Sequence, residues 1–284
     1  MARAGADHRD HMIVDLGTGA GDVRVRVWPA ADGAAGRPVL LAHHGWSDSG
    51  EVFGPLATAL GRRWTVVAPD APGHGGTPSP PQSRYRLAEH APRAVAVLDR
   101  LPQVAGRRAP VVVLGHSMGG VTAARVAGAR PGAVSHLVLE DPVRAALRRP
   151  AGSVALRAWT ARVRLLDEAA LVAEGRAQVP PWPEDELGPW ARSKREMAAW
   201  PTQVPLEWGE PLVALLAEVT APVTLVHGRV SRGGLVSSVA ARRCAAACRG
   251  GCEVVPLDCG HNPRRERREA FIAVLASVLG RYER

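Results

Sequence analysis

Short β-rich runs alternate with longer helical stretches along most of this 284-residue chain. That alternation restricts the chain to an α/β fold, a mostly parallel sheet with helices packed on both faces. Residues 11–16 and 23–28 carry Gly17, Gly19 and Gly21 between them and read as a hairpin of two strands. Residues 38–43, 64–69, 110–114, 135–140, 222–227 and 252–257 supply further short strands. Helical spacing occupies residues 52–60, 87–101, 118–129, 235–248 and 264–279. From about Val143 to Thr220 no strand-like run occurs, while Trp159, Trp182, Trp190, Trp200 and Trp208 stand amid Arg, Glu and Pro, with breaks at Pro180-Pro181, Pro201 and Pro205. Such a stretch is too long for a plain loop. The chain therefore divides into a core of residues 1–142 and 221–284 and a helical insertion over 143–220 that follows the sixth core strand.

A hydrophobic content of 46% suffices for a sizeable interior, and with 22% charged residues no apolar run is long enough to span a bilayer, so no membrane partner is expected. The first eleven residues mix Arg3, Asp7, His8, Arg9 and Asp10 with small residues and lack the apolar stretch of a secretory signal, which predicts a cytoplasmic location. The net charge of +9 raises the question of nucleic acid. Its carriers, however, are arginines scattered over the whole chain, with Lys194 the single lysine, and no recognition module accompanies them. Arg264, Arg265, Arg267 and Arg268 are interrupted by Glu266 and followed by Glu269, as on a solvated helix face. Glu184, Asp185 and Glu186, and Arg192, Lys194 and Arg195, read the same way. No nucleic-acid partner is expected, and the sequence says nothing of oligomeric state. Cys244, Cys248, Cys252 and Cys259 do not follow a zinc spacing and read as reduced, core-packed thiols. The Gly17, Gly19 and Gly21 run opens no helix after a strand, so it is not a dinucleotide fingerprint. Neither a metal nor a cofactor is implied.

The chemistry concentrates at Gly115-His116-Ser117-Met118-Gly119, which directly follows one strand and opens the next helix. A serine at so tight a strand-to-helix turn is forced into a strained backbone that lifts its hydroxyl above the sheet, and the flanking glycines permit the close approach the turn demands. The same turn places the N–H of Met118 at a helix N-terminus, where a free donor and the positive end of the dipole suit an oxyanion.

The order of elements resembles the α/β-hydrolase superfamily, specifically its small bacterial members with a helical cap. The residues that carry the resemblance are His44-Gly45-Trp46, Asp70-Ala71-Pro72-Gly73-His74-Gly75, Gly115 to Gly119 and Cys259-Gly260-His261-Asn262, each after a strand. The resemblance implies an eight-stranded, mostly parallel sheet flanked by helices, with residues 143–220 as a cap over the site. It implies a serine hydrolase in which Ser117 is the nucleophile and the backbone N–H of Trp46, with Ser47 as the near alternative, is the second oxyanion donor. His44 is then structural, and Asp70 and His74 shape their loop. His261 is the general base, since a serine hydroxyl needs an imidazole within reach to accept its proton; His116, inside the turn, points away from the nucleophile.

The expected acid after the penultimate strand is missing, because residues 227–234 contain no carboxylate. Some branches of the superfamily place the acid after the sixth strand, where this chain offers Glu140 and Asp141, and the choice between them stays open; Asp258 is better suited to bracing its loop. Serine at the turn disfavours dehalogenase and epoxide-hydrolase chemistry and leaves acyl chemistry: hydrolysis of an ester, thioester or lactone, acyl transfer, perhydrolysis, or cleavage of a C–C bond next to a carbonyl, on a small molecule with an apolar portion. The missing acid also motivates two alternatives: a lyase or cyclase of the same fold, and a catalytically silent small-molecule-binding homologue.

Overall fold

The computed structural model describes residues 11–31, 37–81, 89–105, 109–143, 150–198 and 210–283. Its strands are β1 (Met12–Leu16), β2 (Val23–Trp28), β3 (Val39–His43), β4 (Thr65–Pro69), β5 (Val111–His116), β6 (His136–Glu140), β7 (Val223–His227) and β8 (Cys252–Pro256). They form one sheet in the order β1-β2-β4-β3-β5-β6-β7-β8. β2 pairs antiparallel with both β1 and β4, and every other pair is parallel. The five consecutive strands β4, β3, β5, β6 and β7 are buried at every position. This is why they read as uninterrupted apolar runs rather than alternating ones.

Alternate side chains of these strands feed two cores. On one face Leu41, Val67, Val113, Leu139 and Leu225 meet α2 (His90–Asp99), α3 (Leu101–Val104), α4 (Met118–Ala129), α8 (Leu212–Ala217) and α9 (Ser238–Ala247). On the other, Leu40, Val66, Val112, Val138 and Val226 meet Phe53, Leu56 and Leu60 around α1 (Gly54–Ala59), and Phe271, Leu275 and Leu279 of α11 (Arg268–Gly280). With the strand period of two, each buried strand serves both layers at once.

Between β6 and β7 the described residues contain no strand. α5 (Pro150–Val163), α6 (Glu168–Arg176) and α7 (Glu184–Glu196) share a small core of their own, built on Val163, Leu171, Trp182, Leu187 and Trp190. α8 lies elsewhere: Leu212, Leu215 and Leu216 belong to the sheet core, and the helix packs on α4 and α9. The separately packed helices thus end before residue 212.

Several helices are shorter than their periodicity predicts. Residues 52–60 split into a 3-10 turn (Gly50–Phe53) and α1, with Pro55 in the first turn, where its missing N–H does no harm. The helix read over 87–101 begins at His90, residues 82–88 lying outside the described residues, and divides at Arg100. α9 starts three residues late because Ser237 caps it, accepting the Ala240 N–H. The C-terminal helix breaks at Arg267 into α10 (Pro263–Glu266) and α11. Glu266 turns back to accept the N–H groups of Gly260 (2.6 Å) and Asn262 (3.0 Å), fixing the preceding loop. Trp200, Trp208, Pro201, Pro205 and residues 1–10 lie outside the described residues. Among the described residues no helix is long and apolar enough to cross a membrane.

The junction of β5 and α4 depends on backbone contact. A Cβ on Gly119 would overlap the carbonyl of His43 on β3, and one on Gly115 would overlap that of Gly119. Neither obstacle is a flexible side-chain end. Gly119→Ala should therefore destabilise the protein by about 3 kcal/mol or more, at the upper end of overpacking costs. Gly280→Ala, with no atom within 4 Å of its Cβ, should change stability by less than about 1 kcal/mol. Urea unfolding of both variants checks the contrast.

Candidate active site

Five loops leave the carboxyl ends of adjacent parallel strands, and the sequence-predicted residues meet there. β3 leads into the loop with Trp46, β5 into Ser117, β6 into Asp141, β7 into the loop before α9, and β8 into His261. The register sets His43 beside Gly115, His116 beside Glu140, and Glu140 beside Val226, so these ends lie at one level. Chain reversal of strand order around β3 and β5 opens a crevice of the kind in which α/β sheets bind ligands.

Ser117 adopts φ 54 and ψ −115, outside the regions L-residues favour. Three backbone bonds hold it: its N–H donates to Glu140 O (3.0 Å), and its carbonyl accepts from Gly120 (3.0 Å) and Val143 (3.2 Å). Its Oγ lies 3.0 Å from His261 Nε2, and His261 Nδ1 lies 2.7 Å from Asp141 Oδ2. Because a carboxylate only accepts, Nδ1 carries the ring proton, which leaves Nε2 of the neutral imidazole as the acceptor for the serine hydroxyl.

Of the two carboxylates named in the sequence, one contacts His261 and the other does not. Glu140 does not reach His261; its Oε1 accepts the Arg264 N–H (2.8 Å), and burial raises its pKa. Asp141 is the residue that touches the imidazole, from φ 37 in the turn beyond β6. Its carboxylate also accepts the N–H groups of Leu235 (2.8 Å) and Val236 (3.2 Å). Asp258 instead pairs with Arg229 and Arg232 at the surface.

Gly45, Trp46, Ser47 and Asp48 form a turn closed by Asp48 N–H to Gly45 O (3.2 Å), with Ser47 at φ 61 in its third position, where glycine is usual. The Met118 N–H, at the first position of α4, has no acceptor within the helix. His44 Nε2 accepts the Ala71 N–H (2.9 Å) while its Nδ1 donates to Gly45 O (2.8 Å), tying the two loops together. Asp70 accepts from Gly50 (2.6 Å) and Gly76 (2.9 Å) and pairs with buried Arg26. His74 bonds the Pro72 carbonyl. All three shape loops around the site. Burial depresses the pKa of His43 and His74 to about 3 and of His44 to about 4, so these rings stay neutral.

His116 differs from expectation. Its ring borders the same cavity as Ser117, and its Nε2 donates to the His261 carbonyl (3.0 Å), holding that loop from below. Desolvation keeps it neutral.

Above Ser117 opens a cavity of about 510 Å³ walled by Trp46, Trp159, Trp182, Trp190, Leu156 and Leu235. Its lining also includes charges that sequence patterning assigned to solvent. Lys194, only 1% exposed, pairs with Asp48 and also donates to Ser47 O (3.2 Å). Arg265, 3% exposed, reaches Glu186 (3.2 Å), Asp48 (3.4 Å) and Asn262 Oδ1 (3.1 Å). Arg264 is buried over the Phe53 ring. The solvated-face readings of Glu186, Lys194, Arg264 and Arg265 are therefore corrected: helix α7 docks on the loops, and each charge finds a partner or an aromatic face. Burial lowers Lys194 to about 8, opposed by Asp48, and the two cations hold Asp48 far below the usual carboxylate range. No signal in a single sequence separates such residues from surface ones. Among the described residues no group of three His, Cys, Asp or Glu side chains is arranged to hold a metal ion.

The chain is 28% identical over 279 residues to the lipase LipV of Mycobacterium tuberculosis, covering 87% of this chain and 95% of that protein. Among solved structures it is similar to E-2-(acetamidomethylene)succinate hydrolase (TM-score 0.76, 23% identity, 94% of this chain and 98% of that one). It is also similar to an esterase from Exiguobacterium antarcticum (TM-score 0.73, 20% identity, 95% of this chain and all of that one). The model of the alpha/beta hydrolase family matches residues 39–274, spanning every loop described above. A sheet of this order, a strained serine between β5 and α4, and that match together make the chain a member of the alpha/beta hydrolase family.

Proposed function

We propose that the protein is a serine hydrolase that cleaves a carboxylic ester, or a related carbonyl bond, of a small molecule with an apolar portion. The observation that carries this reading is the continuous hydrogen-bonded line from Ser117 Oγ through the His261 ring to Asp141. Ser117 attacks the substrate carbonyl as its proton passes to His261 Nε2. Asp141 keeps the ring in the required tautomer and stabilises the imidazolium that forms. The carbonyl electron pair moves onto oxygen, which the N–H groups of Met118 and Trp46 receive. Collapse expels the alcohol, which takes the proton from Nε2; a water molecule then enters by the same route and releases the acid.

The helices α5 to α7 act as a cap, their tryptophans supplying an apolar wall to the cavity. The cations lining the cavity are already balanced by Asp48 and Glu186, which favours an uncharged substrate group there. The lipase and esterase names of similar proteins support an ester over other carbonyl compounds. The lyase and silent-homologue alternatives drew on a missing acid, and the contact of Asp141 with His261 supports the hydrolase reading over both.

A fluorophosphonate probe should label the protein covalently, with labelling abolished in Ser117→Ala. Folded wild-type protein that stays unlabelled overturns the reading. Asp141→Asn should cut kcat for 4-nitrophenyl butanoate by about 10⁴, as loss of the tautomer-fixing carboxylate does in a serine protease. Glu140→Gln keeps an acceptor for Arg264 N–H and should leave kcat within a few-fold; steady-state kinetics of the two variants distinguish the carboxylates.

A further inference from the structure

Lys194 has no part in the mechanism above, yet it is a wholly buried cation on the cap helix α7 and borders the cavity beside Ser117. Its ammonium lies against two consecutive residues of one turn. It donates to the carbonyl of Ser47 and pairs with the carboxylate of Asp48, while the faces of Trp190 (5.2 Å) and Trp159 (6.0 Å) cover its other side. A second clamp from the same cap acts one residue earlier, where the Trp46 indole N–H donates to Thr160 Oγ1 of α5 (2.9 Å). Arg192, two residues before Lys194, pairs with Glu51 just beyond the turn (2.9 Å).

The turn needs holding. Ser47 stands at φ 61, where a side chain is disfavoured, and its buried hydroxyl has no hydrogen-bond partner among the described residues. Such a conformation persists only when its surroundings over-determine it. Arg265 of α10 also reaches Asp48 (3.4 Å) and His44 bonds the Gly45 carbonyl, but the side chain that meets the Ser47 carbonyl itself is Lys194 of the cap.

We propose that Lys194 is a positioning residue: through Ser47 and Asp48 it holds the turn at residues 45–48 in the form that presents the Trp46 N–H to the developing oxyanion, so the cap completes the oxyanion hole. This rests on the serine-hydrolase reading above. It differs from a purely structural role because the Ser47 peptide is fixed directly, whereas the ground-state substrate is bound mainly by the tryptophan walls.

The experiment compares Lys194→Met, the charge-balanced Lys194→Met/Asp48→Asn, and Lys194→Met/Ser47→Gly. The charge-balanced variant matters because losing the lysine alone strands a buried carboxylate, which endangers folding. Each is measured for kcat and KM on 4-nitrophenyl butanoate and for affinity toward 1,1,1-trifluoro-4-phenylbutan-2-one. That ketone adds Ser117 Oγ to its carbonyl carbon; the carbonyl electron pair settles on the oxygen as an oxyanion while the serine proton moves to His261. In the first two variants kcat should fall about 10- to 100-fold, less than the ~10²–10³ lost with an oxyanion donor itself, with KM within threefold. Affinity for the ketone should fall by a similar factor. Ser47→Gly should restore most of the loss, because glycine adopts the turn without help. Unchanged ketone affinity in the folded charge-balanced variant, or a loss seen in KM alone, overturns the proposal. Failure of wild-type protein to react with a fluorophosphonate would instead overturn the serine-hydrolase reading.

Discussion

The structure depends on a backbone conformation that the chain does not favour by itself. Ser117 at φ 54 costs on the order of 1–3 kcal/mol, and it is sustained by two glycines that let β3, β5 and α4 touch through their main chains. Three of the four non-glycine residues with positive φ among the described residues are Ser47, Ser117 and Asp141. They stand beyond the carboxyl ends of β3, β5 and β6, three neighbouring strands. Strain is therefore gathered where side chains and N–H groups face one point, and the five central strands, buried on both faces, supply the rigidity that maintains it.

The contact between Asp141 and His261 draws on two neighbouring loops. The loop after β7 carries no carboxylate, but it is not idle. The backbone that follows it delivers the Leu235 and Val236 N–H groups to Asp141, which arrives from the neighbouring strand. The imidazole then finds its acceptor from the β6 side. Two backbone donors fix the direction in which the Asp141 carboxylate faces His261.

Much of this was legible in the sequence. The strands were readable because burial on both faces leaves an apolar run with turn residues at its ends, and Ser117 was readable because few other contexts place serine between glycines at a strand-to-helix junction. His261 followed from its place after the last strand. The choice between Glu140 and Asp141 was not readable, because it turns on a single residue: Glu140 ends the strand and bonds toward α10, while Asp141, one step later at positive φ, swings to the other side. Lys194, Glu186, Arg264 and Arg265 were misread as solvent-facing, since charge patterning along one helix carries no information about what docks against it. The pairing of Lys194 with Asp48 spans 146 residues, beyond any local pattern.

The buried histidines set a limit on the acid side. His43, His44 and His74 have folded pKa values of about 3 to 4 against about 6.5 when exposed. Between those limits the unfolded chain binds protons that the native molecule refuses, so stability is retained above about pH 6.5 and declines as pH falls. Each ring contributes up to about 1.4 kcal/mol per pH unit within that window. Rings that secure the loops in neutral water thus work against the fold once the solution turns acid.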